Sequence, residues 1–246
     1  MSNNPVAIVT GASRGVGKAV ALNFAKLGYD VALVARNEEL LNAVSDEIKT
    51  NYKVNTGIFA LDVSDKLKVD AAVKKIIDAH GHIDVLFNNA GILYSGTSEL
   101  SPEEFNEMYQ VNVMGMFNFI HATAPYFKKQ KSGYIMNIAS MAAKRALGGS
   151  GGYAASKSAM MGFNESLFNE MLEYDVKVTA LCPSVIATDM TVNFENFPNE
   201  EKIQVDDIVE TVNFLLKLGP KATIKDIDIL NTYFSKIEAD INLARK

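Results

Sequence analysis

A chain of 246 residues with a single cysteine, Cys182, has no internal disulfide and no cysteine metal cluster. Histidine is almost as scarce. His80, His82 and His121 fall on helix or turn patterns without metal-ligand spacing, so surface or packed imidazoles are expected and no metal site. Long hydrophobic runs are missing too. The best candidate, residues 111–127, is broken by Asn112, Asn118, His121 and Pro125, and no run reaches the ~18 residues of a membrane span. There is no excess of positive charge: the formal net charge of −5 speaks against a nucleic-acid or acidic-membrane binder. The opening MSNNP leads straight into a strand pattern, so we expect no signal peptide and a soluble, cytoplasmic protein. With no linker, repeat or low-complexity segment in view, residues 1–246 are read as one domain.

What is present is apolar and periodic. Hydrophobic residues make up 48% of the chain, enough for a sizeable core. Strand patterns at Val6–Thr10, Asp30–Ala35, Gly57–Leu61, Ile83–Phe87, Gly133–Ile138, Val176–Leu181 and Ala222–Leu230 alternate with helical ones. The helices run through Lys26, over Glu38–Lys49 with Leu40, Leu41, Val44 and Ile48 on one face, and over Lys66–Ala79. Further helices run from a Ser101 cap to about Lys128, from Tyr153 onward and over Val205–Leu218. Continuous Val/Ile/Leu strands, each separated by a helix, predict an α/β fold: one doubly wound parallel sheet with helices on both faces. Its ligands should sit outside the carboxyl ends of the strands.

Two stretches carry chemistry. The first strand-to-helix turn reads TGASRGVG, residues 10–17. Gly11 permits the tight turn, Gly15 lets backbone approach a pyrophosphate, and Gly17 allows close helix–strand packing. In the first turn of an α/β chain this favours a dinucleotide, although a glycine loop alone could be only a turn. The second stretch is YAASK, residues 153–157. Four residues is about one helical turn, so Tyr153 and Lys157 share a face. At ~4 Å and an effective dielectric of ~20, the ammonium would favour the phenolate by ~4 kcal/mol, or ~3 pKa units. That would bring a tyrosine towards neutrality and make it a general acid/base. Many solvated helix faces carry the same pair.

The second strand, DVALVAR, bears on the choice of cofactor. An NAD-binding domain places an acid at the carboxyl end of this strand. Here Asp30 lies at its beginning, Ala35 and Arg36 stand at its end, and Arg14 is a second nearby cation. Two guanidiniums suit a 2′-phosphate. Two solvated arginines would look the same, and Glu38 could still reach a ribose hydroxyl.

Taken together in order and spacing, TGASRGVG, NNAG at 88–91, Asn112, Ser140 and YAASK resemble the short-chain dehydrogenase/reductase family over residues 5 to about 190. The resemblance implies a Rossmann-type domain that transfers hydride between NADP(H) and a carbonyl or alcohol. It implies Tyr153 as general acid in reduction and base in oxidation, and Lys157 as the group that lowers its pKa and binds the nicotinamide ribose. Ser140 would polarise the substrate carbonyl, and Asn112 would hold a water that relays protons. Cofactor contacts are implied for Gly11, Ser13, Arg14, Gly15, Val16 and Gly17 in the first turn. They are also implied for Arg36, Asp62 and Val63, for Asn89, Ala90 and Gly91, and for Pro183, Ile186 and Thr188. Asp62 would meet the adenine amino group, or else cap the next helix, a task that Ser64 or Asp65 could also do. Where the family has Pro-Gly, this chain has Pro183-Ser184.

The expected activity is that of a carbonyl reductase or alcohol dehydrogenase. The alternatives are a 3-oxoacyl-carrier-protein-type reductase, or a dinucleotide-sensing protein of the same fold without catalysis. Residues 189–204, with Met190, Phe194 and Phe197, read as a substrate-covering loop, or as a loop whose aromatics pack on the body. Met114, Phe117, Met161 and Phe168 are candidates for a homodimer or homotetramer interface, or for the core of one subunit.

Overall fold

The first strand, β1 (Val6–Thr10), is five consecutive buried residues, as expected of a strand covered on both faces. In the computed structural model, which describes residues 3–192, 194, 198–232 and 236, it is the centre of a seven-stranded all-parallel sheet. The other strands are β2 (Asp30–Ala35), β3 (Thr56–Ala60), β4 (Val85–Asn88), β5 (Tyr134–Ile138), β6 (Lys177–Pro183) and β7 (Asp226–Ile229). Their order is β3-β2-β1-β4-β5-β6-β7. The chain therefore reverses its winding direction between β1 and β4, the crevice where doubly wound sheets bind ligands.

Helices α1 (Gly15–Lys26), α2 (Glu38–Asn51) and α7 (Val205–Lys217) share one apolar core with one face of the sheet. Helices α3 (Lys66–His80), α5 (Gly115–Gln130) and α6 (Gly151–Met171) share the other. No helix among the described residues is long and apolar enough to cross a membrane.

Three expectations need correction. The helix expected from Pro102 to about Lys128 is α4 (Pro102–Met108), a π-helical stretch at Tyr109–Met114, and then α5. The wide turn carries buried Asn112, whose side chain is bound to Ile92, an interaction that local periodicity does not encode. Leu41, Val44 and Ile48 are buried, but Leu40 is 43% exposed, because the first turn of α2 overhangs the ligand cleft. The last strand is shorter than its apolar pattern, since Ala222 belongs to a turn closed onto Gly219.

Candidate active site

The carboxyl ends of the strands open into one cleft of about 920 Å³. Its dinucleotide end is built by close backbone approach. Gly11 has φ +66°, and a Cβ there would lie 2.7 Å from Asn89 Nδ2. A Cβ on Gly17 would lie 2.1 Å from the Gly11 carbonyl, so only glycine fits either position. Gly17 is thus a packing residue behind the cleft, whereas Gly11, Ser13, Arg14, Gly15 and Val16 line it. The Thr10 hydroxyl accepts from the backbone of Asn89 at 2.9 Å and of Ala90 at 3.0 Å. That ties the first turn to NNAG, whose Asn89, Ala90 and Gly91 also line the cleft.

Helices α2, α3 and α4 are capped by the side chains of Asn37, Asp65 and Ser101. Helix α1 is not. Its N-cap is Arg14, whose side chain makes no cap bond, and its first turn has no acid. Free N–H groups and the positive end of a helix dipole beside a cation form a place for an anion.

Around the expected adenosine side, Arg36 and Asn37 line the cleft and Glu38 does not. Asp30 is buried at the opposite end of β2, accepting from Asn4 and from the Asn55 backbone and amide. Arg14 is not a lone cation. Its Nη1 meets Asp189 Oδ2 at 3.2 Å across the cleft mouth. Asp62 is not the cap of α3: Asp65 is, while Asp62 Oδ1 accepts from the Ser64 backbone and hydroxyl at 2.8 and 2.7 Å. Asp62 and Val63 face the cleft, as do Pro183, Ile186 and Thr188 on the far side.

The reactive groups converge from β5 and α6. Ser140 lies just beyond β5 in extended backbone, where its Oγ accepts from the Ala142 amide at 3.1 Å. The same hydroxyl lies near the Tyr153 phenol and favours its ionisation. Lys157, only 3% exposed, donates to the Ile138 carbonyl at 2.8 Å and sits 5.7 Å from the Tyr153 ring centre.

The expected electrostatics are reversed. Burial pushes the Tyr153 phenol up to about 12, against a smaller downward pull from Ser140. Burial also lowers Lys157 to about 8, opposed weakly by Cys182. The drop expected from an ammonium at ~4 Å and an effective dielectric of ~20 leaves burial out. In the folded protein desolvation disfavours both charges, and it outweighs what the ammonium returns to the phenolate.

Asn112 does not line the cleft, but a Cβ on cleft-lining Gly91 would lie 3.2 Å from its Oδ1 and 3.7 Å from Lys157 Nζ. Its amide donates to the Ile92 carbonyl and to Ser156 Oγ, both at 3.0 Å, and its Oδ1 accepts from the Ile92 amide at 2.8 Å. Both amide protons are thus engaged, and one Oδ1 lone pair is left for a water.

Asn137, Asn164 and Lys144 escaped the sequence reading. Asn88 donates to Asn137 at 2.9 Å, Asn137 to Asn164 at 2.9 Å, and Asn164 to the Lys225 carbonyl at 3.2 Å. This buried ladder fastens α6, and with it Tyr153 and Lys157, to β4 and β5. Polar residues inside apolar strands were its only sequence signal. Ser184 replaces glycine without left-handed backbone, and its Oγ accepts from the Asn231 amide at 2.9 Å. Lys144 follows the turn after Ser140 and binds both Asp226 and Asp228 of β7. Burial alone would lower that ammonium, but the two carboxylates hold it above a lysine's usual value.

Of the loop expected at 189–204, Phe197 lies outside the described residues. Met190 and Phe194 line the cleft, and buried Lys202 donates to the Thr191 carbonyl at 2.8 Å and Asn199 Oδ1 at 2.9 Å. Of the interface candidates, Met161 packs inward and accepts from Cys182 Sγ, and Phe168 packs on the core. Phe117 stacks on His121 and meets Phe163 edge-on, while Met114 is 39% exposed.

The model of the short chain dehydrogenase family matches residues 5–199. An uncharacterised oxidoreductase of Staphylococcus epidermidis is 34% identical over 225 residues, 91% of this chain and 96% of that one. The crystal structure of a beta-ketoacyl-[ACP] reductase from Bacteroides thetaiotaomicron superposes with a TM-score of 0.83 at 34% identity. That match covers 96% of this chain and 100% of the other. An alcohol dehydrogenase from the archaeon Thermococcus sibiricus, complexed with 5-hydroxy-NADP, gives a TM-score of 0.86 at 31% identity, over 93% and 97% of the chains. With the parallel sheet, the glycine turn and the convergence of Ser140, Tyr153 and Lys157, these matches make the chain a member of the short-chain dehydrogenase/reductase family of oxidoreductases.

Proposed function

We propose that this protein is an NADP(H)-dependent carbonyl reductase or alcohol dehydrogenase. The observation that carries the reading is a single cleft with the uncapped α1 and its glycine turn at one end and Ser140, Tyr153 and Lys157 at the other. Gly11 to Val16 would hold the cofactor diphosphate, Arg14 and Arg36 its 2′-phosphate, Asp62 and Val63 the adenine. Asn89 to Gly91 would line the ribose. Pro183, Ile186 and Thr188 would hold the nicotinamide side. The cofactor supplies or accepts the hydride; the protein's own groups handle the proton.

In reduction, the Tyr153 hydroxyl donates its proton to the carbonyl oxygen while Ser140 donates a hydrogen bond to the same atom. Lys157 holds the ribose hydroxyls and supplies positive charge behind the phenol. Asn112 keeps the chain around Ile92 and Ser156 in register and offers a lone pair to a relay water. In oxidation, Tyr153 takes the proton back.

Kinship with a beta-ketoacyl-[ACP] reductase supports a second reading, reduction of a 3-oxoacyl group carried on a protein. NADPH oxidation with a panel of ketones, diketones, 3-oxo esters, pterins and a 3-oxoacyl carrier protein separates the two. Turnover of none of them would contradict both. The exposed Met114 and partly exposed Phe117 support a homotetramer or homodimer through α5 and α6, against which a monomer by light scattering would count.

A further inference from the structure

The substrate end of the cleft has a composition of its own. Leu147, Met190 and Leu230 line it, and they are 56%, 43% and 49% exposed. They come from three separate segments: the turn before α6, the loop after β6 and the chain leaving β7. Large apolar side chains left partly in water on the lining of one cleft, drawn from unrelated segments, have no packing reason to be there. Met141 and Ala142, which follow Ser140 in the chain, add further apolar lining.

The charged groups at this end are arranged differently. The Lys144 ammonium is bound by Asp226 and Asp228, and Asp228 itself lines the cleft. Lys144 is therefore already satisfied, and a carboxylate entering here would meet the Asp228 carboxylate. Arg145 is also on the lining.

We infer that Leu147, Met190 and Leu230 form an apolar collar that selects an uncharged carbonyl compound with an apolar arm, and that Lys144 with Asp226 and Asp228 disfavours a free oxo-acid. The collar rests on the carbonyl-reductase reading of the same cleft and names its substrate class. A fully buried methylene adds about fourfold in affinity, and half-exposed walls give about half of that free energy. Four added methylenes should then raise kcat/KM about tenfold.

The test compares ethyl 3-oxobutanoate, ethyl 3-oxooctanoate and free 3-oxobutanoate with NADPH. The expected order is the octanoate ester, about tenfold better than the butanoate ester, with the free acid weakest. Leu147→Ala combined with Leu230→Ala should bring the ratio of the two esters down to about two. Asp228→Asn should improve the free acid relative to the short ester about tenfold. Each compound is also titrated calorimetrically into the protein loaded with NADP+, so the preference is read as Kd without turnover.

Equal Kd and equal kcat/KM for the two esters, or a ratio unmoved by the double variant, would overturn the collar. A free acid accepted as well as its ester, for example on Arg145, would overturn the part played by Asp228. Selective binding without turnover of any compound would leave the collar standing and contradict the reductase reading instead.

Discussion

Asn137 of β5 donates to Asn164 of α6 at 2.9 Å in the buried core, joining the strand that ends near Ser140 to the helix that carries Tyr153 and Lys157. Asn164 lies seven positions after Lys157, two turns along the same helix. The reactive groups thus owe their relative position to an amide pair outside the cleft.

Replacing Asn164 with alanine leaves the Asn137 amide and the Lys225 carbonyl without this partner. The Lys225 carbonyl keeps its bond from the Ala180 amide, so the cost is that of one buried Asn137 amide: stability should fall by ~1–3 kcal/mol, with a loss of kcat. Urea denaturation measures the first. An unchanged midpoint would show that the ladder is incidental.

Lys157 gives a pH signature. Its folded value of about 8 lies below the ordinary 10.5, so between these limits the unfolded chain binds more protons than the folded one. Stability from this group therefore rises with pH across 8 to 10.5, and its charge-burial penalty is fully present at pH 7. The shift corresponds to ~3 kcal/mol, partly offset in Lys157→Met by the lost bond to Ile138. The variant should be the more stable protein at pH 7, and its advantage should shrink above pH 8. An advantage that stays constant from pH 7 to 10 would contradict the burial argument.

How much of this was legible beforehand differs by scale. The strands β1 and β2 matched their apolar runs residue for residue, because parallel strands buried on both faces leave an uninterrupted hydrophobic signal. Seventeen of the nineteen expected site residues line the cleft; the other two, Gly17 and Asn112, lie just behind it. Burial of Lys157 was not legible, since a spacing of four says which face two residues share and nothing of what covers it. The partners of Asn137, Lys144 and Lys202 depend on tertiary approach, which no local period encodes.

The Arg14–Asp189 pair makes a prediction about cofactor choice. Both side chains are well exposed, so the pair is worth ~0.2–1 kcal/mol at most. Asp189→Ala frees Arg14, and NADPH affinity should tighten roughly two- to fivefold with NADH unaffected. Arg36→Asp should act the other way and remove ~10- to 150-fold of NADPH preference, as expected of one charge-assisted contact. Fluorescence titrations of both cofactors check this. Equal efficiency with NADPH and NADH in the unmodified protein would refute the arginine reading.

A phenol held up near 12 is protonated throughout the physiological range. Reduction, which needs the acid form, should be nearly flat from pH 6 to 8. Oxidation needs the phenolate and should climb about tenfold per unit while pH is below the operative pKa. Initial rates of both directions on one substrate pair measure this, and a flat oxidation profile would place the proton elsewhere.

The whole proposed chemistry turns on the Tyr153 hydroxyl transferring the proton at the substrate oxygen. The most direct measurement is NADPH oxidation by Tyr153→Phe on the best carbonyl substrate, beside NADPH binding by fluorescence. Turnover should fall by at least ~10²-fold, in line with removal of a positioned general acid, and cofactor affinity should stay within a few-fold of the unmodified protein. Turnover near the unmodified rate, with the phenol gone and the cofactor bound, would contradict it.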